Sequence, residues 1–520
     1  RGKKGKKTVE VNNVGRTIRS VSSDAPVPGD DLYLTIDLRL QKKAEESLKK
    51  GLEKIREGGV FESEWGDFYF KDKYENAYSG ALVALDVKTS EVLALANYPA
   101  YDLNLFSTGI TTENWNSLLN DSKNPLAPRP LYNIAMLTAI QPGSTFKMIT
   151  SLAALEKGVN PNTTVYCAGT MKVGDRNFSC WIYNMFGGKH GAQTMYQAIM
   201  NSCNFYYYTT VLGENLATHQ KHTVKVDAED IIDMARNFGL DSKTGIEIDI
   251  PQEASGGVPS IEGKKSGIRV YLRLFLEANI ERYLKDGVVI DSSMKNEIVE
   301  EIVSWIDRDE PMTRSEVYEG LKALNLNPDK TNDNYIPLVD IIKYSYINQA
   351  TWTVGDNLNI SIGQGNNAYT TLQMANYIAS IANGGYRNNV SVVKEIKTYD
   401  GKHTDYVPLR KSEKIPLKDD SYLDVVKYGM KLVSYDDSAK PFAKFPVEVG
   451  SKTGTAQNQG INPETGEPYD DFAWYVAFAP YDDPQIAVAC VLFEGGSGRY
   501  PIPIVREVIG EYLKINGLAD

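Results

Sequence analysis

Gln141-Pro-Gly-Ser-Thr-Phe-Lys147 is the stretch on which the fold turns. It interrupts an apolar, helix-compatible run from Ile134 to Leu155, so the sequence predicts a turn shaped by Pro142 and Gly143 and a helix beginning close to Ser144. On the first turn of such a helix Ser144 and Lys147 share a face, and the amine comes within reach of the hydroxyl. Serine is a poor nucleophile at its own pKa and needs a neighbouring base, and a desolvated lysine can be neutral enough to take the proton. The helix N-terminus also favours the negative charge that develops there. Roughly two Ser-x-x-Lys matches are expected by chance in an average chain of this length, so this spacing alone does not fix a function.

Two further elements follow along the chain. Ser202-Cys-Asn204 supplies a hydroxyl and an amide, and Lys452-Thr-Gly454 supplies a cation and a hydroxyl. A Lys-Thr-Gly match is rarer, on the order of a tenth per average chain. It precedes Thr455-Ala456 and could form an edge strand whose backbone groups pair with an extended peptide. A Ser/Asn loop and a cationic strand would then flank the nucleophile from opposite sides.

The surrounding composition is globular: 520 residues, 42% hydrophobic and 24% charged, with 42 Gly and 23 Pro. That excludes disordered, collagen-like and coiled-coil chains and allows two or more domains, or one large domain with insertions. Lys and Arg number 56 against 67 Asp and Glu, a net charge of −11, which argues against a general nucleic-acid binder. No apolar run reaches membrane-spanning length and no signal-peptide core opens the chain. The chain starts at Arg1 rather than Met, in mid-pattern, so a preceding segment is expected to be missing.

Residues 1–20 are basic, and Val21–Gly29 reads as a loop or linker. Leu32–Leu38 alternates like a strand, and Arg39–Arg56 has helical periodicity with Leu40, Ala44, Leu48 and Leu52 on one face. Gly80–Ala96 reads as a hairpin, and Phe472–Ala479 and Gln485–Phe493 as adjacent buried strands. Ile504–Leu513 would be a closing helix. Residues from about 257 to 350 are charged, amphipathic and helical in pattern, an inserted subdomain. Strands, then helices, then strands give an α+β fold.

Ser-x-x-Lys, Ser-x-Asn and Lys-Thr-Gly in this order resemble the signature of the penicillin-binding proteins and serine β-lactamases. The chain is similar to a class B penicillin-binding transpeptidase in these elements, in Asp31-Leu-Tyr-Leu-Thr-Ile-Asp-Leu-Arg-Leu-Gln41, in the Ala81–Ala96 hairpin and in Gly355-Asp-Asn-Leu-Asn-Ile-Ser-Ile-Gly-Gln-Gly365. Within that class it is more similar to the elongation type, penicillin-binding protein 2, than to the division type. The resemblance implies a central antiparallel sheet flanked by helices over residues 30–520, and a remnant of an N-terminal pedestal over residues 1–29. It implies a D,D-transpeptidase of cell-wall synthesis, acting on stem peptides ending in D-Ala-D-Ala and acylated by β-lactams. The native protein would be anchored in the bacterial cell membrane, with an extracytoplasmic catalytic domain and a SEDS-type membrane glycosyltransferase as partner. No nucleotide, redox cofactor or glycan-polymerising motif is visible.

The resemblance also implies roles. Ser144 would be the acylated nucleophile and Lys147 its general base. Ser202 would relay a proton to the leaving amine, and Asn204 would hold the substrate amide. Lys452, Thr453 and Gly454 would receive the terminal carboxylate, and the N–H groups of Ser144 and Thr455 would form the oxyanion hole. These assignments agree with the chemistry: a tetrahedral oxyanion needs preplaced donors, and a carboxylate needs a cation and a hydroxyl. The departure from the signature is Cys203 in the middle of Ser-x-Asn. The rival readings are a serine β-lactamase or D,D-carboxypeptidase on the same fold, and a non-catalytic β-lactam sensor or scaffold. Against the lactamase, no Glu-x-x-x-Asn segment lies between Asn204 and Lys452.

Cys167, Cys180 and Cys203 bracket His190, whereas Cys490 stands alone in a strand-like run and reads as core. The spacing lacks the short Cys-x-x-Cys pairs of a recognisable zinc motif, so buried free cysteines and a disulfide remain open, although three cysteines would leave one unpaired. If Ser202 and Asn204 face the cleft, Cys203 points behind the loop. The resemblance implies that some elongation-type members hold a metal here, through Cys180 before Trp181, His190 before Gly191, and Cys203. With Cys167 these make a closed, structural zinc site, and Asp175 is the reserve ligand. His219 and His222 read as solvent-facing, His403 as a turn residue, and Phe205-Tyr-Tyr-Tyr208 as packing.

Overall fold

The computed structural model describes residues 2–408, 411–435 and 440–519. Its central sheet is built from β1 (Gly80–Asp86), β2 (Val92–Tyr98), β3 (Gly450–Ala456), β4 (Phe472–Ala479) and β5 (Ile486–Leu492), all antiparallel, in the order β3-β4-β5-β1-β2. β4 and β5 are apolar runs buried on both faces, and β3 pairs with β4 alone among the described residues. The Lys-Thr-Gly element therefore lies on an edge, with Lys452, Thr453 and Gly454 opposite Val476, Tyr475 and Trp474.

Six helices matter for the site: α1 (Leu38–Glu57), α2 (Lys147–Glu156), α3 (Asn204–Leu212), α4 (Thr371–Ala382), α5 (Ser421–Tyr435) and α6 (Ile502–Ile515). α1 starts where Asp37 accepts from the N–H groups of Arg39 and Leu40, which satisfies two otherwise orphaned donors. Its buried stripe of Leu40, Ala44, Leu48, Leu52 and Ile55 packs with α6 on one face of the sheet. Each fully buried leucine there contributes about 2 kcal/mol of transfer free energy. Gly51 permits the close approach, because a Cβ would stand 2.4 Å from Ile504. α4, buried throughout, covers the other face. This mixed architecture around an antiparallel sheet is the expected α+β class.

Two local readings differ from expectation. The strand after residue 30 stops at Leu34, because Thr35 turns its hydroxyl onto the Val92 carbonyl and Asp37 caps α1. Val21–Asp24 is strand rather than loop: Ser22–Asp24 pair with Lys6–Thr8 in an exposed hairpin formed by Lys6–Val11 and Thr17–Asp24.

Residues Val258–Ile360, with Gly365–Asn367, form a second compact unit. Its helices Ile261–Asn279, Ser292–Ser304 and Arg314–Ala323 surround a core of its own that includes Leu272, Leu276, Ile302, Val317 and Leu321. Thr313 and Glu316 cap the third of these helices reciprocally. No helix among the described residues is long and apolar enough to cross a membrane.

Candidate active site

Gly143–Phe146 is a single tight helical turn that leads into α2, whose residues Lys147–Leu155 are all buried. Ser144 is half-buried on that turn and Lys147 is the first residue of α2. The turn has left-handed backbone at Gly143, φ 53°, where a Cβ would stand 2.5 Å from the carbonyl oxygen of Thr455. A Cβ on Gly454 would meet Pro142 O at 2.8 Å and the Thr145 methyl at 2.9 Å. The turn and the edge strand β3 are thus in backbone contact. Trp474 on β4 donates its indole N–H to Gln141 O at 2.8 Å, and Tyr377 on α4 donates to Thr145 O at 3.1 Å.

The Ser-x-Asn element closes the other side. Lys147 Nζ donates to Asn204 Oδ1 at 2.6 Å and to Ser202 O at 2.7 Å, with Ser202 Oγ at 3.2 Å. Asn204 is the first residue of α3, and Ser202 holds a left-handed φ of 51°. With its oxygen taken by Lys147, the Asn204 amide keeps its NH2 group as a donor. Burial pulls the Lys147 pKa down from 10.5 to about 8, against the opposing charges of Cys180 and Cys203. Tyr207 lies under the ammonium, ring centroid 5.5 Å away, and its hydroxyl bonds to Ser151.

On β3, Lys452 is buried and donates to Thr453 O at 2.9 Å and Thr453 Oγ1 at 3.4 Å. Ser451 behind it is fixed by Ser434 on α5 and Tyr475 on β4, each at 2.7 Å. Thr455 accepts the N–H of Gly498 on Oγ1 at 3.0 Å and the side-chain amide of Gln364 on its carbonyl at 3.2 Å. The structure therefore brings Ser144, Lys147, Ser202, Asn204, Lys452, Thr453, Gly454 and Thr455 into one region. Sequence reasoning assigned no role to Trp474, Tyr207, Gly498 or Gln364. Only Gln364 had a signal, the Gly363-Gln-Gly365 turn inside the quoted Gly355–Gly365 stretch.

Behind the Ser-x-Asn loop, Cys167, Cys180, His190 and Cys203 present their ligand atoms within 4.8 Å of one another. The three cysteines are buried free thiols, with Cys180 and Cys203 sulfurs 4.0 Å apart, so no disulfide joins them. His190 Nδ1 lies 3.5 Å from Cys180 Sγ and 3.8 Å from Cys167 Sγ. A tetrahedral zinc site has S···S edges of about 3.8 Å and S···N edges of about 3.6 Å, so the donor set suits that ion in kind, and these three separations lie close to its edges. Hydrogen bonds from Cys167 and Cys203 push the Cys180 thiol far down, while burial pushes Cys203 up. Burial alone would lower His190, but its contacts with Cys167 and Cys180 raise it to about 9. Asp175 sits in an exposed turn outside this group, which removes it as reserve ligand.

The remaining histidines and cysteine are structural or peripheral. His219 and His403 are exposed, but His222 is half-buried and burial lowers its pKa, because its N–H bonds back to Gly213 and draws the ring in. Cys490 is core, opposite Leu82. Phe205–Tyr208 is buried packing.

An antiparallel sheet whose edge strand carries Lys-Thr-Gly, with a Ser-x-x-Lys turn against it and a Ser-x-Asn loop bonded to the lysine, defines the penicillin-recognising class. Residues 80–270 and 312–510 match the penicillin binding protein transpeptidase domain, and the chain belongs to that family. Among curated relatives, the peptidoglycan D,D-transpeptidase MrdA of Haemophilus influenzae is 26% identical over 536 residues, covering 98% of this chain and 60% of the relative. The chain therefore spans 60% of that relative's length. Among solved structures, a chain of a peptidoglycan synthase complex that coordinates polymerization and crosslinking matches with TM-score 0.66 and 28% identity, covering 99% of this chain and 68% of that one. Pseudomonas aeruginosa PBP2 matches with TM-score 0.61 and 25% identity, covering 94% and 77%.

Proposed function

We propose that this chain is the catalytic part of a class B, elongation-type peptidoglycan D,D-transpeptidase, which cross-links stem peptides ending in D-Ala-D-Ala and is acylated by β-lactams. The observation that carries the reading is the buried Lys147, depressed to about 8 and hydrogen-bonded to both polar residues of the Ser-x-Asn element. A lysine so placed reaches its neutral form close enough to physiological pH to act as a base.

Ser144 Oγ attacks the carbonyl of the penultimate D-Ala while neutral Lys147 takes the hydroxyl proton. The carbonyl oxygen becomes an oxyanion between the N–H groups of Ser144 and Thr455. The C–N bond then breaks, and the departing D-Ala amine takes the proton from Lys147 through Ser202 Oγ, which leaves an acyl ester on Ser144. The amine of a neighbouring stem attacks that ester, and its proton returns by the same route to Ser144 Oγ. Lys452 and Thr453 receive the donor's terminal carboxylate, and the NH2 group of Asn204 holds the donor's amide carbonyl.

The four-residue cluster is read as a structural zinc site held by Cys167, Cys180, His190 and Cys203. With all four donors coming from the protein, a bound zinc would supply a structural crosslink rather than a catalytic centre. Cys203 ties it directly to the backbone between Ser202 and Asn204. Family membership further supports a membrane-anchored protein with this catalytic part outside the cytoplasm, in which the Lys6–Asp24 hairpin ends a pedestal and Val258–Ile360 is an insertion in the transpeptidase domain. The likeness to a chain of a peptidoglycan synthase complex supports a SEDS-type glycosyltransferase partner.

Intact-protein mass spectrometry after benzylpenicillin tests the reading. A stable adduct on Ser144 that Ser144→Ala abolishes is expected, together with cross-linking of lipid-linked glycan when the polymerase partner is present. No adduct would sink the serine mechanism, and an adduct that turns over rapidly would favour a β-lactamase.

A further inference from the structure

The edge of β3 that has no strand partner among the described residues is where an extended peptide would add as a further strand, using the outward backbone groups of Thr453 and Thr455. Both carbonyls are already engaged: Lys452 donates to the Thr453 carbonyl at 2.9 Å, and the Thr455 carbonyl has a partner on another element. Gln364, on the turn before α4, donates its side-chain amide to the Thr455 carbonyl at 3.2 Å. Only the NH2 end of a glutamine can donate to a carbonyl, so the orientation of the amide is fixed by its partner.

A carbonyl oxygen has two lone pairs and could in principle serve both Gln364 and a peptide N–H. Here the approach is crowded. Gly143 sits against the same oxygen so closely that a Cβ there would stand 2.5 Å away, and Gly143 is itself held by its N–H bond to Gly363 O at 3.0 Å. Gly498 pins the Thr455 side chain from its own side. With the backbone of the nucleophile turn along one flank, the open flank of the carbonyl is the one that Gln364 fills.

We propose that Gln364 is a specificity-determining residue of the β3 edge: its amide occupies the acceptor that an incoming peptide N–H would use, and a ligand must displace it to pair there. A ligand with an amide N–H in register exchanges one neutral hydrogen bond for another. One lacking that N–H leaves the Gln364 bond intact and gains nothing from the exchange. The residue would then set the relative reactivity of ligands with and without a backbone-like amide next to the reacting carbonyl.

This inference rests on the transpeptidase reading, and two β-lactams separate its failure from the failure of that reading. Benzylpenicillin carries an acylamino N–H beside its lactam carbonyl, and imipenem carries a hydroxyethyl group there. Second-order acylation rate constants are measured for both on the wild type, on Gln364→Ala and on Gln364→Met, which keeps the side chain's length without a donor. Melting temperatures report folding, and Gln364→Met decides if Gln364→Ala does not fold. The benzylpenicillin-to-imipenem ratio of rate constants is expected to rise about three- to tenfold in the variants, the scale of one neutral hydrogen bond. An unchanged or lowered ratio overturns the assignment, because a merely structural role would slow both ligands alike. A wild type acylated by neither compound overturns the transpeptidase reading and this inference with it.

Discussion

Lys147 Nζ donates to Asn204 Oδ1 at 2.6 Å, joining the first residue of α2 to the first residue of α3. That bond links two motifs 57 residues apart and makes the environment of the lysine part of the Ser-x-Asn loop's geometry. The ammonium is buried, and among the described residues its hydrogen bonds go to neutral oxygens, two of them from Ser202. Neutral partners lower the cost of a buried charge without cancelling it, so the amine form gains in relative population.

The pH dependence of acylation follows from this. Lys147 is depressed to about 8, mainly by burial, and only its neutral form accepts the Ser144 proton. Below about pH 8 the neutral fraction, and with it the benzylpenicillin acylation rate, should rise close to tenfold per pH unit. Above it the rate should level off. Rapid-quench mass spectrometry between pH 6 and 9.5 measures the profile; a flat profile across pH 7 to 9 would count against Lys147 as the base.

Gly143→Ala tests the contact between the nucleophile turn and β3. Alanine brings both a disfavoured left-handed backbone, costing about 1 kcal/mol, and a Cβ 2.5 Å from a main-chain oxygen that cannot rotate away. Either the turn or β3 must shift, and both carry N–H groups that the proposed mechanism assigns to the oxyanion hole. Acylation should fall by at least about 100-fold, the scale for losing one such donor, while the protein remains folded. Circular dichroism and fluorescent-penicillin labelling separate the two effects. Labelling at the wild-type rate would show that the close approach is not required.

Much of the fold was legible because its signals were local. The 3.6-residue stripe of α1, the apolar runs of β4 and β5 and the turn at Pro142-Gly143 each depend on neighbours in sequence, and each formed near its predicted bounds. Gly498 and Trp474 were not legible as site residues, and Gln364 was marked only by the motif that contains it, because their partners Thr455 and Gln141 are remote in the chain. His222 misled for the same reason: its polar neighbours suggested solvent, and a single backbone bond to Gly213 draws it inward. Spacing alone did not group the three cysteines with His190, which the family resemblance supplied; the pairing of Gly191–Gln193 with Val165–Cys167 brings His190 beside Cys167.

Ser202 carries two separable properties. Its φ of 51° costs a non-glycine residue about 1 kcal/mol, and its hydroxyl lies 3.2 Å from Lys147. Ser202→Ala keeps the strain and loses the hydroxyl, whereas Ser202→Gly loses both. Relative to Ser202→Ala, the glycine variant should therefore unfold at about 0.5–1 kcal/mol higher free energy, less whatever glycine adds to the entropy of the unfolded chain. Both should acylate with benzylpenicillin more slowly than the wild type, by about 10- to 100-fold, the range for one proton-transfer group. Denaturant titration and acylation kinetics read the two properties independently. Wild-type acylation in both variants would remove Ser202 from the proton path.

Cys203 connects the metal reading to the catalytic loop, since its sulfur faces the cluster while its two neighbours face Lys147. A structural zinc at this point would hold the left-handed turn at Ser202 against relaxation, and removing a ligand should loosen both at once. Cys203→Ser is nearly isosteric, so packing loss alone costs little, whereas loss of a metal crosslink belongs among the large effects, more than about 3 kcal/mol. Protein purified without chelator should contain one zinc per chain. Prolonged chelation should lower the wild-type Tm and acylation rate towards those of Cys203→Ser and leave the variant unmoved. Acidification should release the metal, because the thiolates and His190 take up protons in competition with it. Zinc well below stoichiometry, with a Tm indifferent to chelator, would mean that these four residues are a buried thiol and imidazole network and that the loop is held by protein contacts alone.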